Sequence, residues 1–334
     1  MKKHLVAAAV AAAVAVPVMA QNVSVYGILD VNLSSIDTSG ASSETVLGKS
    51  ALATSRLGFR GSEDLGGGLK AEFQLEGTLD PTTGVLGTSA ASTSNSVTDS
   101  MFDREAWVGF SSGFGSIRAG TTDVSDAVNI DAKVSQAGDL GLISELSTDK
   151  VRTIRYTTPS FSGFSAQVGV ASPNSTATSE VTNGSITNFY AAYEQGKLGV
   201  YAARESVERT QTYDQKQSTV GAKYDFGAAS VGLVYSKRKG AEATSGAAGD
   251  EDYKQYVLSA AVPLANGYTL HGAYQSRDLA GTDNATRDFS TVTLAVTKSM
   301  SKRTRLYAAF IDKDFDAAAS ADTKQYTVGV VHNF

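Results

Sequence analysis

After residue 20 the chain holds no apolar run long enough to cross a membrane as a helix, yet strict two-residue alternation recurs along its whole length. Around residue 70 the contrast is sharpest: Leu69, Ala71, Phe73 and Leu75 on one face oppose Lys70, Glu72, Gln74 and Glu76 on the other. Near the start, Val23, Val25, Gly27, Leu29, Val31 and Leu33 oppose Ser24, Asp30 and Asn32. At the end Tyr326, Val328, Val330, His332 and Phe334 share a face, and the chain stops in mid-strand on that aromatic. Period two with one apolar face describes a β-strand whose apolar face needs a cover.

Sixteen such segments can be read, near residues 22–34, 50–61, 68–79, 100–111, 115–120, 151–158, 163–171, 186–194, 198–206, 216–226, 229–238, 252–262, 267–277, 288–298, 303–313 and 324–334. Their connections alternate between short (63–68, 111–114, 194–197, 226–228, 263–267, 299–302) and long (35–49, 80–99, 121–150, 172–185, 240–251). A closed barrel in an outer membrane accounts for this rhythm, since its periplasmic turns are short, its external loops long and its strand number even. Lipid then covers the apolar faces, and closure leaves no unpaired edge. The pattern predicts an all-β fold: a 16-stranded antiparallel transmembrane β-barrel spanning residues 21–334, with both termini periplasmic. Sixteen strands leave a water-filled interior, where eight would be filled by side chains.

Residues 1–20 stand outside this pattern. Lys2 and Lys3, an alanine-rich apolar run and the small-residue site Val18-Met19-Ala20 make a secretory signal peptide. The chain has no cysteine, which removes thiolate metal sites and disulfides, and nothing in it predicts a metal or another cofactor. Its formal charge of −5 argues against nucleic acid as a partner. Tyr26, Trp107, Tyr156, Tyr193, Tyr224, Tyr235, Tyr256, Tyr268 and Tyr307 lie near strand ends or on apolar phases and read as interfacial girdle residues.

Four stretches carry a family resemblance. Ser55-Arg-Leu-Gly-Phe-Arg-Gly-Ser-Glu-Asp-Leu-Gly-Gly-Gly-Leu-Lys70 closely resembles the second hairpin of the general-diffusion porins of β-proteobacteria. Val25-Tyr-Gly-Ile-Leu-Asp30, Phe102-Asp-Arg-Glu-Ala-Trp-Val-Gly-Phe110 and the terminal Val331-His-Asn-Phe334 are similar to that family in the same order. The resemblance implies a homotrimer of 16-stranded barrels in the outer membrane of a Gram-negative bacterium, each with its own pore and with the third external loop folded inward. It implies outer-membrane lipid and lipopolysaccharide as surroundings, ions and small hydrophilic solutes as cargo, and Phe334 as the handle read by the barrel-assembly machinery. It also implies that Arg56 and Arg104 line the constriction.

The alternation places Arg56 and Arg118 inward, and Arg155 falls at a comparable height. If Arg104 points inward, strict alternation turns Glu105 outward, where a subunit contact would have to hide it. The inward phases otherwise read as charged or small and polar. Segment 121–150 is the candidate inward loop, and its acids, led by Asp123, Asp126 and Asp131, would face the arginines and set a field across the bore. The expectation is a passive diffusion channel of weak to moderate selectivity, leaning anionic. A channel specific for a small anionic or sugar solute is the alternative. An enzyme is not expected: beyond His332 the barrel segment has only His271, with no nucleophile motif beside it.

Overall fold

The computed structural model describes residues 22–87, 100–123, 126–137, 140, 150–171, 185–208, 214–240, 252–279, 288–316 and 321–334. The leader and the loop acids Asp139, Glu145 and Asp149 lie outside the described residues. Among the described residues, seventeen strands make one antiparallel sheet that closes on itself. They are β1 (Asn22–Thr38), β2 (Glu44–Lys49), β3 (Arg56–Gly66), β4 (Leu69–Thr78), β5 (Glu105–Ser112), β6 (Gly115–Asp123), β7 (Lys150–Thr157) and β8 (Phe164–Ala171). The second half of the ring is β9 (Ile186–Gln195), β10 (Leu198–Glu208), β11 (Asp214–Asp225), β12 (Ser230–Lys239), β13 (Tyr253–Pro263), β14 (Tyr268–Leu279), β15 (Phe289–Ser299), β16 (Thr304–Phe315) and β17 (Thr323–Asn333).

Closure runs between the two ends of the chain. Residues 28–38 of β1 pair with residues 333–323 of β17. Phe334 extends the seam, exchanging two backbone hydrogen bonds of 3.1 Å with Gly27. Its ring occupies the space that a Cβ at Gly27 would need. Tyr326, Val328, Val330, His332 and Phe334 are all exposed on the outer face, the phase that the terminal alternation predicts.

Seventeen strands form sixteen staves because one stave is broken. The inner half of β1 pairs with β3 and its outer half with β2. The buried Asp30 causes the break. Its carboxylate accepts hydrogen bonds from the backbone N–H groups of Leu52 (2.6 Å) and Ala53 (2.8 Å) and from the Tyr307 hydroxyl (2.7 Å). Ser50 adopts φ +58°, and residues 50–55 fold inward over that carboxylate instead of continuing the ladder. A carboxylate buried from water needs such donors, so the chain gives up ladder bonds here to supply them.

The outer wall is apolar through its middle, with Val25, Leu33, Val108, Val168, Leu233, Leu258, Leu294 and Val328 among its exposed side chains. A soluble monomer does not show water so continuous an apolar belt. Tyr156, Tyr193, Tyr224, Tyr235, Tyr256 and Tyr268 lie on this outward phase. Tyr26, Trp107 and Tyr307 do not: they point inward, where Tyr26 donates to Glu76 (2.8 Å) and Tyr307 to Asp30. For the two tyrosines, a polar partner inside the barrel outweighs the interfacial preference of the ring, while Trp107 packs under the Arg118 guanidinium.

The inner wall also departs from expectation, because part of it is apolar. Ala192, Tyr201, Val234, Val257 and Ala273, from five strands, form a buried patch with Ile130, Val134 and Ala137 of the 121–150 segment. Its described residues lie inside the barrel and include helix α1 (Asp126–Val134). Gly221 and Gly232 make the fit possible, since a Cβ at either would strike Ile130 or Val134. A second patch joins Leu52 and Leu140 to Ala295, Tyr307, Ala309 and Val331 on the adjoining strands β15–β17.

Candidate pore constriction

Strands β3–β7 carry a wall of inward cations. On β3 the phase set by Tyr26, which packs over Gly58, turns Arg56 and Arg60 inward. Glu76, across the hairpin on β4, is the anchor of this group. It takes the Arg104 Nε at 2.6 Å, the Arg56 guanidinium at 3.8 Å and the Tyr26 hydroxyl. Arg56 also donates to the Thr54 carbonyl at 3.0 Å, and the Arg60 guanidinium stacks 5.0 Å from the Tyr26 ring. One carboxylate therefore serves two arginines, while Arg56 and Arg104 keep 26% and 22% of their side-chain surface exposed.

Arg104 precedes β5 and is not subject to its alternation. Glu105 begins the strand opposite Glu76, in phase with Trp107 and Gly109, so it also points inward. The expectation of an outward Glu105 is thereby overturned: the ladder starts at residue 105, and no subunit contact is needed to hide that charge. Trp107 lies beneath the Arg118 guanidinium at 5.3 Å, a cation–π contact.

Arg118 and Arg155 face each other across β6 and β7. Their surroundings separate them. Arg155 is 2% exposed and lies 3.7 Å from the equally buried Asp126, which also accepts a 2.6 Å hydrogen bond from the Asn188 amide. Burial pushes the Asp126 carboxyl above the usual aspartate range, against the pull of Arg155 and Asn188. Arg155 and Asp126 thus form the bond that pins the start of α1 to the wall, beneath the loop. The aspartate at the first turn of α1 and Lys133 at its last also suit the helix dipole.

Asp131 is fully buried. Asp123 ends β6, and its side chain lies outside the described residues. The exposed face of α1 carries Asn129, Ala132 and Lys133, and Lys133 bridges to Glu194 at 3.4 Å. Among the described residues, then, the acids of α1 face the barrel wall and its exposed charge is basic. Gln136 ends this stretch, donating through its backbone N–H to the Ser259 hydroxyl (3.0 Å), while its carbonyl meets His271 Nδ1. The other ring nitrogen of His271 meets Thr297 at 3.0 Å, so this histidine holds the loop.

Glu76, Arg60, Trp107 and Asn188 were not among the sequence candidates. The alternation of β4 already put Glu76 in phase with Lys70. Pairing it with Arg56 required the hairpin register, in which Gly58 faces Glu76.

Comparison with known proteins follows this geometry. Residues 7–318 match the profile of the family described as "Gram-negative porin". The chain belongs to this family. It is similar to outer membrane porin protein 32 of Delftia acidovorans, 32% identical over 345 residues covering 95% of this chain and 91% of that one. A Bordetella pertussis outer membrane porin protein is 26% identical over the full length of both chains. Among solved structures, an anion-selective porin from Comamonas acidovorans superposes with a TM-score of 0.73 at 26% identity, covering 94% of this chain and all of that one. This porin is accordingly a 16-stranded channel protein of the Gram-negative outer membrane and not an enzyme. Its short-turn end is the periplasmic one and its long-loop end the external one.

Proposed function

We propose that this porin conducts ions and small hydrophilic solutes passively and favours anions. One observation carries the reading: the arginines on β3–β6 keep exposed surface, whereas the described acids of α1 are buried against the wall. Selectivity in a wide aqueous pore follows the charge that solutes meet at its narrowest part. Arg56, Arg60, Arg104 and Arg118 supply that charge, partly offset by Glu76 and Glu105. Asp126 and Arg155 cancel each other beneath the loop and add little to the field. The exposed Lys133 on α1 is offset by Glu194 at 3.4 Å, which leaves the arginine wall as the source of the sign.

The same reading treats residues 1–20 as a leader removed on export, Phe334 as the assembly signal and the working unit as a homotrimer. The solved structure from Comamonas acidovorans, which its description calls anion-selective, supports the sign.

Reversal potentials in a KCl gradient across planar bilayers test it. Chloride should be preferred, and Arg56→Ala and Arg104→Ala should each lower the chloride-to-potassium permeability ratio. A unit charge about 9 Å from the ion in water is worth about 0.5 kcal/mol, or about twofold. A clear potassium preference in the unaltered protein would overturn the proposal.

A further inference from the structure

The turn that breaks the second stave ends directly at an arginine of the constriction. In the β1 ladder Val31 pairs with Lys49 and Ile28 with Arg56, so two residues of β1 face the six residues 50–55. Such an insertion gives up ladder bonds, and irregularities of this kind beside functional sites re-aim a side chain. Here the first side chain after the turn is Arg56. Its Nε donates to the Thr54 carbonyl, inside the turn, at 3.0 Å. Its guanidinium stands 3.8 Å from Glu76 Oε1, while Arg104 takes that same oxygen at 2.6 Å.

Asp30 holds the turn at both ends and in the middle. The Ser50 N–H donates to the Asp30 carbonyl at 3.0 Å, and the Asp30 N–H donates to the Ser55 hydroxyl at 2.9 Å. Between these two bonds, Asp30 Oδ2 takes the N–H groups of Leu52 and Ala53. Oδ1 takes the hydroxyl of Tyr307, which reaches across β17. Gly329 on β17 leaves room for that ring, since a Cβ there would strike the Tyr307 hydroxyl. Leu52 packs with Leu140 of the 121–150 segment, so the turn also backs the third loop. Asp30 and Ser55 are fully buried. These three donors to the carboxylate are neutral groups, which leaves a burial cost, and Ser50 adds left-handed backbone at φ +58°. Local strain of this sort persists where the surrounding structure uses it.

Resting on the anion-favouring reading of the pore, we propose that Asp30 is a positioning residue of the ion filter. By fixing the 50–55 turn it holds the Thr54 carbonyl where it draws the Arg56 guanidinium off Glu76 and toward the bore. Released from Thr54, Arg56 closes on Glu76, the carboxylate cancels its charge, and solutes meet a less positive wall. The sign separates this role from a direct one. On Coulomb grounds alone, taking a carboxylate out of the wall makes the channel more chloride-selective. Loss of positioning makes it less so.

Reversal potentials of the full protein in a KCl gradient across planar bilayers test this as a double-mutant cycle. Asp30→Ala should lower the chloride-to-potassium permeability ratio by about twofold, as much as Arg56→Ala does. In the Arg56→Ala background it should lower the ratio no further. Asp30→Asn keeps an acceptor oxygen for Leu52 and Ala53 and should recover most of the loss. Tyr307→Phe removes one donor to the carboxylate and no charge, and it serves if Asp30→Ala fails to fold. Its smaller fall should likewise vanish in the Arg56→Ala background, and no fall at all then overturns the proposal. So does a rise or an unchanged ratio in Asp30→Ala, or an equal fall with and without Arg56, which a merely structural role would give. An unchanged ratio in Arg56→Ala also overturns it, since the turn then has no filter charge to hold. A potassium preference in the unaltered protein overturns the anion reading alone, because the cycle compares changes in the ratio whatever its starting value.

Discussion

Arg155 and Arg56 show how far two inward arginines can differ in role. Both occupy inward positions on neighbouring parts of the wall, and both have a carboxylate within 4 Å. Arg56 shares Glu76 with Arg104 and keeps water on one side, so its charge reaches the lumen. Arg155 is sealed under α1 with Asp126, where it acts on the loop and not on the solute. Removing one partner of a buried ion pair strands the other, at a cost of about 3–5 kcal/mol. Arg155→Met should therefore free the start of α1 before it changes selectivity. The expected signature is increased open-channel current noise and altered conductance with a nearly unchanged reversal potential. Replacing both partners, Arg155→Met with Asp126→Leu, should restore much of the quiet open level, because an apolar pair of similar volume leaves no stranded charge. An unchanged noise spectrum in the single variant would contradict the anchoring role.

At the scale of elements, α1 is held by shape as well as by charge. Ile130 and Val134 rest against Gly221 on β11 and Gly232 on β12, where the wall has no side chains to keep the helix away. At Gly232 a new Cβ would meet the Val134 carbonyl, which is backbone and cannot rotate aside. Gly232→Leu should push α1 into the lumen, lowering single-channel conductance and destabilising the barrel by about 1–3 kcal/mol, the usual range for overpacking. Conductance traces and thermal unfolding in detergent read the two effects separately. Across β12–β16 the external end is stiffened by a chain of cation–π contacts. Arg238 lies over Tyr253, Arg277 over Tyr253 and Phe289, and Lys313 over Phe289 and Phe315. The strands themselves were legible from alternation, most of them to within a residue or two at each end. The break in the second stave was not. It depends on Asp30, which looks like any inward polar residue until Leu52, Ala53 and Tyr307 are brought around it.

For the whole molecule, closure is the event that makes the barrel, and it joins residues separated by almost the entire chain. Gly27 and Phe334 meet at that seam. Phe334→Ala removes a ring that is 41% exposed, so the cost should be about 1–2 kcal/mol, below that of a fully buried phenylalanine. Urea unfolding of the refolded barrel measures it, and a larger fall in assembly in cells than in refolding would mark the residue as a signal as well as a seam. Period two, the long–short loop rhythm and the terminal aromatic were sufficient to determine the architecture, because each strand's alternation is a local property that needs no knowledge of its neighbours. Local spacing likewise turned Arg56 and Arg118 inward. Only the tertiary structure decided which charges meet water. That choice depends on where the third loop lands, and its contacts reach from Asp126 to Asn188, from Gln136 to Ser259 and His271, and from Leu140 to Thr293. No local periodicity encodes such pairings, since they arise from the match between one loop and a patch assembled from strands that are distant in the chain.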